Sequence, residues 1–370
     1  MIRNISLQNF KCFAEKKDVE LSKITILYGH NGRGKSSLSQ ALLLVGQSMK
    51  KKNDIDELLI VDDLVQLQSF SDIKTFGSQD EEIKFWIDTE SEKIEMGFSP
   101  LEGKPQIGRL STLKINNEDR FVVQTTQSAD DVDERQKIAY ATSDITVLQL
   151  LKDITYISAG RLGPVNDILR NDSLPSNNVG TKGEYLINVL SRQSQDFVNY
   201  VGQSLSEILS GASVKVTDPQ ASRLELMLNS RDGDQLFRPV NVGFGYSYVL
   251  PVIVSTLLAE KGSVLIVENP EAHLHPRAQS RIMEFLVSWA LKKDLQLIIE
   301  THSDHVVNGM RISMKNETLV PSDAIIQHFA YDNGTVTPVI TKITSDRYGN
   351  LSEYPDDFMD EWTAQMIQLV

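Results

Sequence analysis

The 370 residues, 41% of them hydrophobic, suffice to bury one large core or two smaller ones. A formal net charge of −13 excludes a protein that coats nucleic acid by charge alone and leaves room only for a local basic groove. A single cysteine, Cys12, excludes an intramolecular disulfide and a cysteine metal cluster. The opening residues lack the apolar core of a signal peptide, and no uncharged run reaches membrane-spanning length, so a cytoplasmic chain with no membrane partner is expected.

Residues 2–13 alternate apolar and polar side chains and predict a strand that pairs with one starting near Val19. Ile24-Thr25-Ile26-Leu27-Tyr28 is apolar and β-branched, as a buried strand should be. It runs into Gly29-His30-Asn31-Gly32-Arg33-Gly34-Lys35-Ser36, a complete G-x-x-x-x-G-K-S loop, and the residues from Ser37 to Leu44 read as a helix. Strand, glycine loop and helix start make an anion cradle. The glycines let backbone N–H groups converge on phosphates, and the helix dipole favours their negative charge. Asn31, Gly32, Arg33, Gly34, Lys35, Ser36 and Ser37 are therefore expected to wrap a nucleoside triphosphate. Lys35 would reach the β- and γ-phosphates, and the Ser36 hydroxyl would bind Mg²⁺.

Further along, Lys50, Lys51 and Lys52 read as a solvated helix end rather than a DNA contact. Residues 54–63 are acidic and mixed. Within 70–98, the alternation Glu82-Ile83-Lys84-Phe85-Trp86-Ile87-Asp88 predicts antiparallel strands, and strand-like pieces follow at 110–114 and 121–124. Asp130, Asp131, Asp133 and Glu134 lie in an acidic stretch, 128–134, that reads as a solvated loop. Ile154-Thr155-Tyr156-Ile157-Ser158 is a second buried strand and leads into Ala159-Gly160-Arg161-Leu162-Gly163-Pro164. Residues 185–210 show helical spacing, and 214–216 and 224–228 look like strands again. The tail holds two strand-like runs, 325–329 and 335–340, around the turn Asp332-Asn333-Gly334. No internal repeat, low-complexity tract or long heptad pattern interrupts the chain.

A phosphate loop needs an acid on a second strand to complete the magnesium shell. Ser263-Val264-Leu265-Ile266-Val267-Glu268 is an apolar strand ending in a carboxylate, so Glu268 fills the Walker B position beside Ser36 as a metal ligand. Leu295-Gln296-Leu297-Ile298-Ile299-Glu300-Thr301-His302 is a third buried strand, ending in a histidine. One strand after the Walker B acid, His302 is placed to sense the γ-phosphate. Shortly before that acid, Val242-Gly243-Phe244-Gly245-Tyr246-Ser247 is a Gly/Ser turn opening a helix, weak alone but in the right order for a signature motif.

Four such elements in this order resemble the ABC-type ATPase heads of the structural-maintenance-of-chromosomes, RecF and overcoming-lysogenisation-defect group. They resemble most a prokaryotic AAA/ABC-like family with a short C-terminal domain of unknown function. The resemblance rests on Asn9-Phe10-Lys11, Gly34-Lys35-Ser36-Ser37-Leu38, Ser69-Phe70-Ser71-Asp72, Tyr156-Ile157-Ser158-Ala159 and Gly243-Phe244-Gly245-Tyr246-Ser247. It rests also on Glu268-Asn269-Pro270-Glu271-Ala272-His273-Leu274-His275-Pro276 and Glu300-Thr301-His302-Ser303-Asp304-His305, with Gly349-Asn350 and Tyr354-Pro355 in the tail.

The fold so implied is an α/β ABC-type ATPase head. It has a P-loop NTPase core with a mixed sheet, an N-terminal antiparallel β subdomain and a helical signature region. The head would span 1–323, split into a phosphate-loop half (1–50), a β-rich insertion (51–153) and a signature, Walker B and switch-histidine half (154–323), with a small C-terminal domain at 324–370. The resemblance further implies a homodimer around two ATP–Mg²⁺, in which Gly245 and Ser247 face the γ-phosphate of the opposing copy. It implies a nearby effector such as a nuclease or toxin, in antiphage defence; a RecF-like DNA-binding repair ATPase and a transporter ATPase stay open as alternatives, so DNA remains a second candidate partner.

Two departures from that pattern stand out. Asn269 occupies the place of the catalytic glutamate, and it can orient water but cannot take its proton. Either Glu271 serves instead or hydrolysis is slow, and slow turnover is the favoured expectation. Tyr248 stands where a glutamine is usual, and Gln66 and Gln68 both fit the glutamine of the loop that usually carries one.

Overall fold

The computed structural model describes residues 1–122, 145–209, 213–219, 222–230, 235–331 and 337–369. The acidic stretch at 128–134, the end of the strand expected at 121–124 and the turn at 332–334 lie outside the described residues.

The chain opens with β1 (Ile2–Gln8) and β2 (Lys17–Glu20), paired antiparallel with Ile5 opposite Val19, as the alternation predicts. Next come β3 (Ile24–Gly29), α1 (Lys35–Lys52), β4 (Glu57–Leu59) and the single-turn α2 (Phe70–Ile73). The strands β5 (Ile83–Thr89), β6 (Lys93–Leu101), β7 (Lys104–Ile115) and β8 (Glu118–Val122) follow, then α3 (Thr146–Lys152), β9 (Thr155–Ile157) and β10 (Asp167–Leu169). The middle of the chain holds α4 (Leu186–Ser191), α5 (Gln195–Leu209), β11 (Ser213–Thr217), β12 (Arg223–Asn229) and α6 (Phe244–Leu258). The last third runs β13 (Val264–Glu268), α7 (Pro276–Lys292), β14 (Gln296–Thr301), α8 (Asp304–Lys315), β15 (Ala324–Ala330), β16 (Val339–Ile343) and α9 (Glu361–Gln368).

These elements form two compact units that interleave along the sequence. One comprises Met1–Ser22, His30–Ile154 and Phe329–Thr341; the other comprises Lys23–Gly29, Thr155–His328 and Lys342–Val370. The first unit carries an antiparallel sheet in the order β2-β1-β5-β6-β7-β4, with β8 paired to β7. Its strands alternate as expected: Ile83, Phe85 and Ile87 are buried while Lys84 and Trp86 between them reach the surface layer. In the same unit α1 buries Leu38, Ala41, Leu42 and Val45, and ends in the exposed cations Lys50, Lys51 and Lys52, which suit the negative end of the helix dipole.

The second unit holds the buried sheet of the chain, in which β3, β14, β13 and β9 run parallel and side by side. Strands covered on both faces read as unbroken apolar runs, which is why β3, β13 and β14 stand out in the sequence. The sheet continues from β3 to β15 and β16. A smaller antiparallel sheet, β10-β12-β11, packs with α4 and α5. The apolar α6, the amphipathic α7 and α8, and the inward faces of β3, β13 and β14 share one core.

Two expectations shift. The helix expected over 185–210 is two helices: the backbone N–H of Arg192 closes α4 by donating to the carbonyls of Leu190 and Val189, and Ser194 Oγ accepts from the N–H of Phe197 at 3.2 Å to start α5. Ahead of the strands expected around 82–88, Phe70–Ile73 forms the single-turn α2, capped by Ser69. Of the run expected at 335–340, residues 335–336 lie outside the described residues, and the strand β16 begins at Val339.

Candidate functional site

The glycine loop leaves the sheet at the end of β3, where Tyr28 lies opposite Thr301 of the parallel neighbour β14. Ligands of open α/β sheets bind beyond such carboxyl ends. From His30 onward the loop belongs to the first unit. Gly32 and Gly34 have φ of 74° and 92°, in the left-handed region that favours glycine. A Cβ on Gly34 would also fall 2.8 Å from Cys12 Sγ, so this position is closed to side chains on steric grounds as well. Gly34 caps α1 without a side-chain bond, and the first turn carries no acid to offset the positive end of the helix dipole. Lys35 is 3% exposed, and its Nζ donates to the His30 carbonyl at 2.7 Å, which folds the ammonium back over the loop. Ser36 follows in the first turn and is half-buried. This cradle fits a polyphosphate: flexible backbone donors, one buried cation and a hydroxyl.

In the second unit, β13 ends at Glu268, beside Glu300 of β14. The Glu268 Oε2 accepts from the N–H of Ala159, just past β9, at 3.0 Å, and the carboxylate also takes the hydroxyl of Tyr156. Burial and that carboxylate push the Tyr156 phenol well above its ordinary value. Arg161, 3% exposed, donates to the carbonyls of Ser158 at 2.9 Å, Glu268 at 2.7 Å and Asn269. Desolvation lowers its pKa to about 10 even with Glu271, Tyr248 and Glu268 nearby, so it stays charged at neutral pH.

The turn after β13 is tightly specified. Asn269 sits at φ 45°, a conformation asparagine tolerates better than most residues, and its N–H donates to the Glu300 carbonyl at 2.7 Å. Glu271, 9% exposed, accepts from Thr301 Oγ1 at 2.7 Å and from the His302 N–H at 3.1 Å. Desolvation raises its pKa against these donors and against Arg161. His302 itself is exposed at the end of β14. Ser303 caps α8, and its hydroxyl donates to Gln279 of α7 at 2.6 Å.

Helix α6 begins at Phe244 with Gly243 as its cap, so Gly243 and Phe244 form the exposed start, and Phe244 is 56% exposed. Ser247 lies a turn inside the helix, 7% exposed, with its Oγ unpartnered among the described residues. Ser247 lines a cavity together with Gly183, Leu186 and Pro251. Gly245 has a packing role: a Cβ there would meet the His273 carbonyl at 2.9 Å. Tyr248, the unusual residue of this turn, packs against His273 with the rings tilted by 51° and their centroids 4.3 Å apart. Gln66 and Gln68 are both exposed.

Glu268, Asn269, Glu271, His302, Gly245 and Ser247 thus all belong to the second unit, and Asn31 to Ser37 to the first. Sequence reasoning passed over Arg161 and Thr301, whose roles are contacts to main-chain carbonyls and to a buried carboxylate. Among the described residues no group of three or more His, Cys, Asp or Glu side chains is disposed to hold a metal. Magnesium needs no such cage, since it is ordinarily held by one or two protein oxygens together with phosphates. No helix of the described residues is long and apolar enough to cross a membrane.

Residues 24–308 match the family described as "AAA domain, putative AbiEii toxin, Type IV TA system", and residues 320–369 match a protein family of unknown function, DUF3696. Among solved structures, the chain is similar to the Smc head bound to the C-winged helix domain of ScpA, at 15% identity and a TM-score of 0.59, over 93% of this chain and 97% of that one. It is also similar to the Smc head domain with an extended coiled coil bound to the C-terminal domain of ScpA, from Pyrococcus furiosus. That match has 13% identity and a TM-score of 0.55, over 100% of this chain and 99% of the other. At these identities the likeness is one of fold: the chain has the ABC-type ATPase head architecture. No curated protein matches.

Proposed function

The chain belongs to the AAA family described as a putative AbiEii toxin of a type IV toxin–antitoxin system, and on that premise we propose that it is an ATPase that binds ATP with Mg²⁺, turns it over slowly and controls a separate effector. The observation that supports this reading most is the loop itself: positive φ at Gly32 and Gly34, an α1 start without a side-chain cap or an acid, and a buried Lys35 turned back over the loop.

Each residue has a distinct task. Backbone N–H groups from Asn31 to Ser37 hold phosphate oxygens, and Lys35 neutralises the β- and γ-phosphates. Ser36 and Glu268 would hold the magnesium ion, which would supply charge neutralisation at the phosphates. His302 senses the γ-phosphate. Asn269 orients the attacking water but cannot accept its proton, and Glu271 has one oxygen committed to Thr301 and His302, which together favour slow turnover. ATP shifts the protein between two states only by its differential affinity for them, so a slow site works as a switch. Two copies closing through the exposed start of α6 would give that switch its second state. The effector is a protein such as a nuclease or toxin encoded nearby.

Lys35→Ala tests the reading. ATP affinity should fall by about two orders of magnitude or more and ATPase activity should vanish, as expected when a main phosphate cation is removed. A Lys35→Ala protein that hydrolyses ATP as the parent does would overturn it. ATPase activity stimulated by DNA, with a steep salt dependence, would favour the DNA-repair alternative over the effector.

A further inference from the structure

Tyr331 stands 299 residues beyond Gly32, yet its hydroxyl donates to the Gly32 carbonyl at 3.0 Å. Its ring carries the Arg33 guanidinium, with Cζ 4.2 Å from the ring centroid. Pro338, from the same tail, lies 3.2 Å from where a Cβ on Gly34 would be. Three successive residues of the phosphate loop therefore meet residues of the segment matched to the family of unknown function, all within the first unit.

We propose that Tyr331 is a positioning residue of the phosphate loop, setting the orientation of the Gly32–Arg33 peptide for nucleotide. This rests on the nucleotide reading above. The argument is geometric. In a planar trans peptide the carbonyl and the following N–H point to opposite sides. A hydroxyl that draws the Gly32 carbonyl outward thus turns the Arg33 N–H the other way. Gly32 has no atom within 4 Å of a built Cβ, so side-chain packing does not select this orientation, and glycine itself tolerates several. Arg33 supplies the second hold. Its guanidinium rests on the aromatic face, which keeps the extra cation of the loop in one place.

The experiment measures affinity for ATP and for inorganic tripolyphosphate by calorimetry, in the full chain and in Tyr331→Phe, Tyr331→Ala and Lys35→Ala. Tyr331→Phe keeps the ring and loses one neutral hydrogen bond, so both probes should bind about fivefold more weakly. Tyr331→Ala loses the ring as well and should weaken both by about tenfold or more. The thermal midpoint of Tyr331→Phe without nucleotide should match the parent, which separates positioning from a merely structural contact. A loss confined to ATP would place Tyr331 against the nucleoside and overturn the proposal. Parental affinity in both Tyr331 variants, with binding abolished in Lys35→Ala, would overturn it and leave the nucleotide reading standing. A parent protein that binds neither probe would overturn both.

Discussion

The Thr301 hydroxyl donates to Glu271 Oε1 at 2.7 Å, and the next backbone N–H, that of His302, reaches the same oxygen at 3.1 Å. One carboxylate therefore ties the turn after β13 to the end of β14, between the residues proposed to hold magnesium and to sense phosphate. The cost lies in the other oxygen, Oε2, which is buried without a partner among the described residues.

That cost should be visible as a pH dependence of stability. Burial raises the pKa of Glu271 in the folded chain above its unfolded value. The folded state then binds the proton more tightly, so stability from this group is fully present below the ordinary carboxylate range and is lost as pH rises through the elevated folded value. Glu271→Gln removes the titration and keeps an oxygen for Thr301 and His302. Denaturant unfolding of both proteins between about pH 8 and about pH 4 should show the stability difference shifting toward the parent as pH falls. A difference that stays flat across this range would mean that Glu271 is not desolvated as described.

On the proposed function, Asn269 is the residue that limits the rate. Placing a carboxylate there supplies the proton acceptor that the site lacks, so Asn269→Glu should raise steady-state ATP turnover by about tenfold or more. Its φ of 45° suits asparagine better than glutamate, and the variant should lose about 1 kcal/mol of stability. Unchanged turnover in this variant, with activity lost in Glu271→Gln, would identify Glu271 as the working base.

Arg161 should prove a structural keystone of the acidic turn. Its guanidinium serves three carbonyls, at Ser158, Glu268 and Asn269, and a lysine ammonium at that depth cannot reproduce the planar fork. Leaving buried carbonyls unpaired costs about 1–3 kcal/mol, so Arg161→Lys should lower unfolding free energy by about 2 kcal/mol. The same variant should weaken ATP turnover more than ATP affinity, since the backbone it holds carries Glu268 and Asn269 rather than the loop. Equal loss of both would assign Arg161 to folding alone.

The parts of the site that were legible in sequence are those written in local pattern. The strand–loop–helix at Gly29 to Ser36 and the apolar runs ending in Glu268 and His302 need only neighbouring residues to be recognised, because buried parallel strands and left-handed glycines have local signatures. Arg161 and Tyr331 were not legible as parts of the site. Each acts on main-chain carbonyls far away in sequence, and a carbonyl is the same in every residue. The depth of Ser247 was hidden for a related reason. A serine at the fourth position of a helix is exposed or buried according to which face packs inward, and in α6, apolar nearly all round, periodicity gives no answer. The break between α4 and α5 falls at the caps made by Arg192 and Ser194, which apolar spacing does not encode.

The exposed start of α6 is where a second copy would be expected to dock, and the burial of Ser247 changes how that is tested. Ser247→Arg places a charge in a buried position that has no partner for it, and should cost about 3 kcal/mol or more, so any loss of dimer would report misfolding. Phe244 is the better probe, since its ring is 56% exposed at the head of the helix and its removal leaves the core intact. Large exposed apolar side chains are typical anchors of interfaces, and truncating or charging one costs about 2 kcal/mol or more of binding. Solution mass measured with ATP should therefore show Phe244→Asp at least about tenfold weaker in self-association than the parent, with an unchanged thermal midpoint. Dimers of undiminished strength in Phe244→Asp would move the interface away from α6, and the ATP-dependent switch would then have to close through another surface.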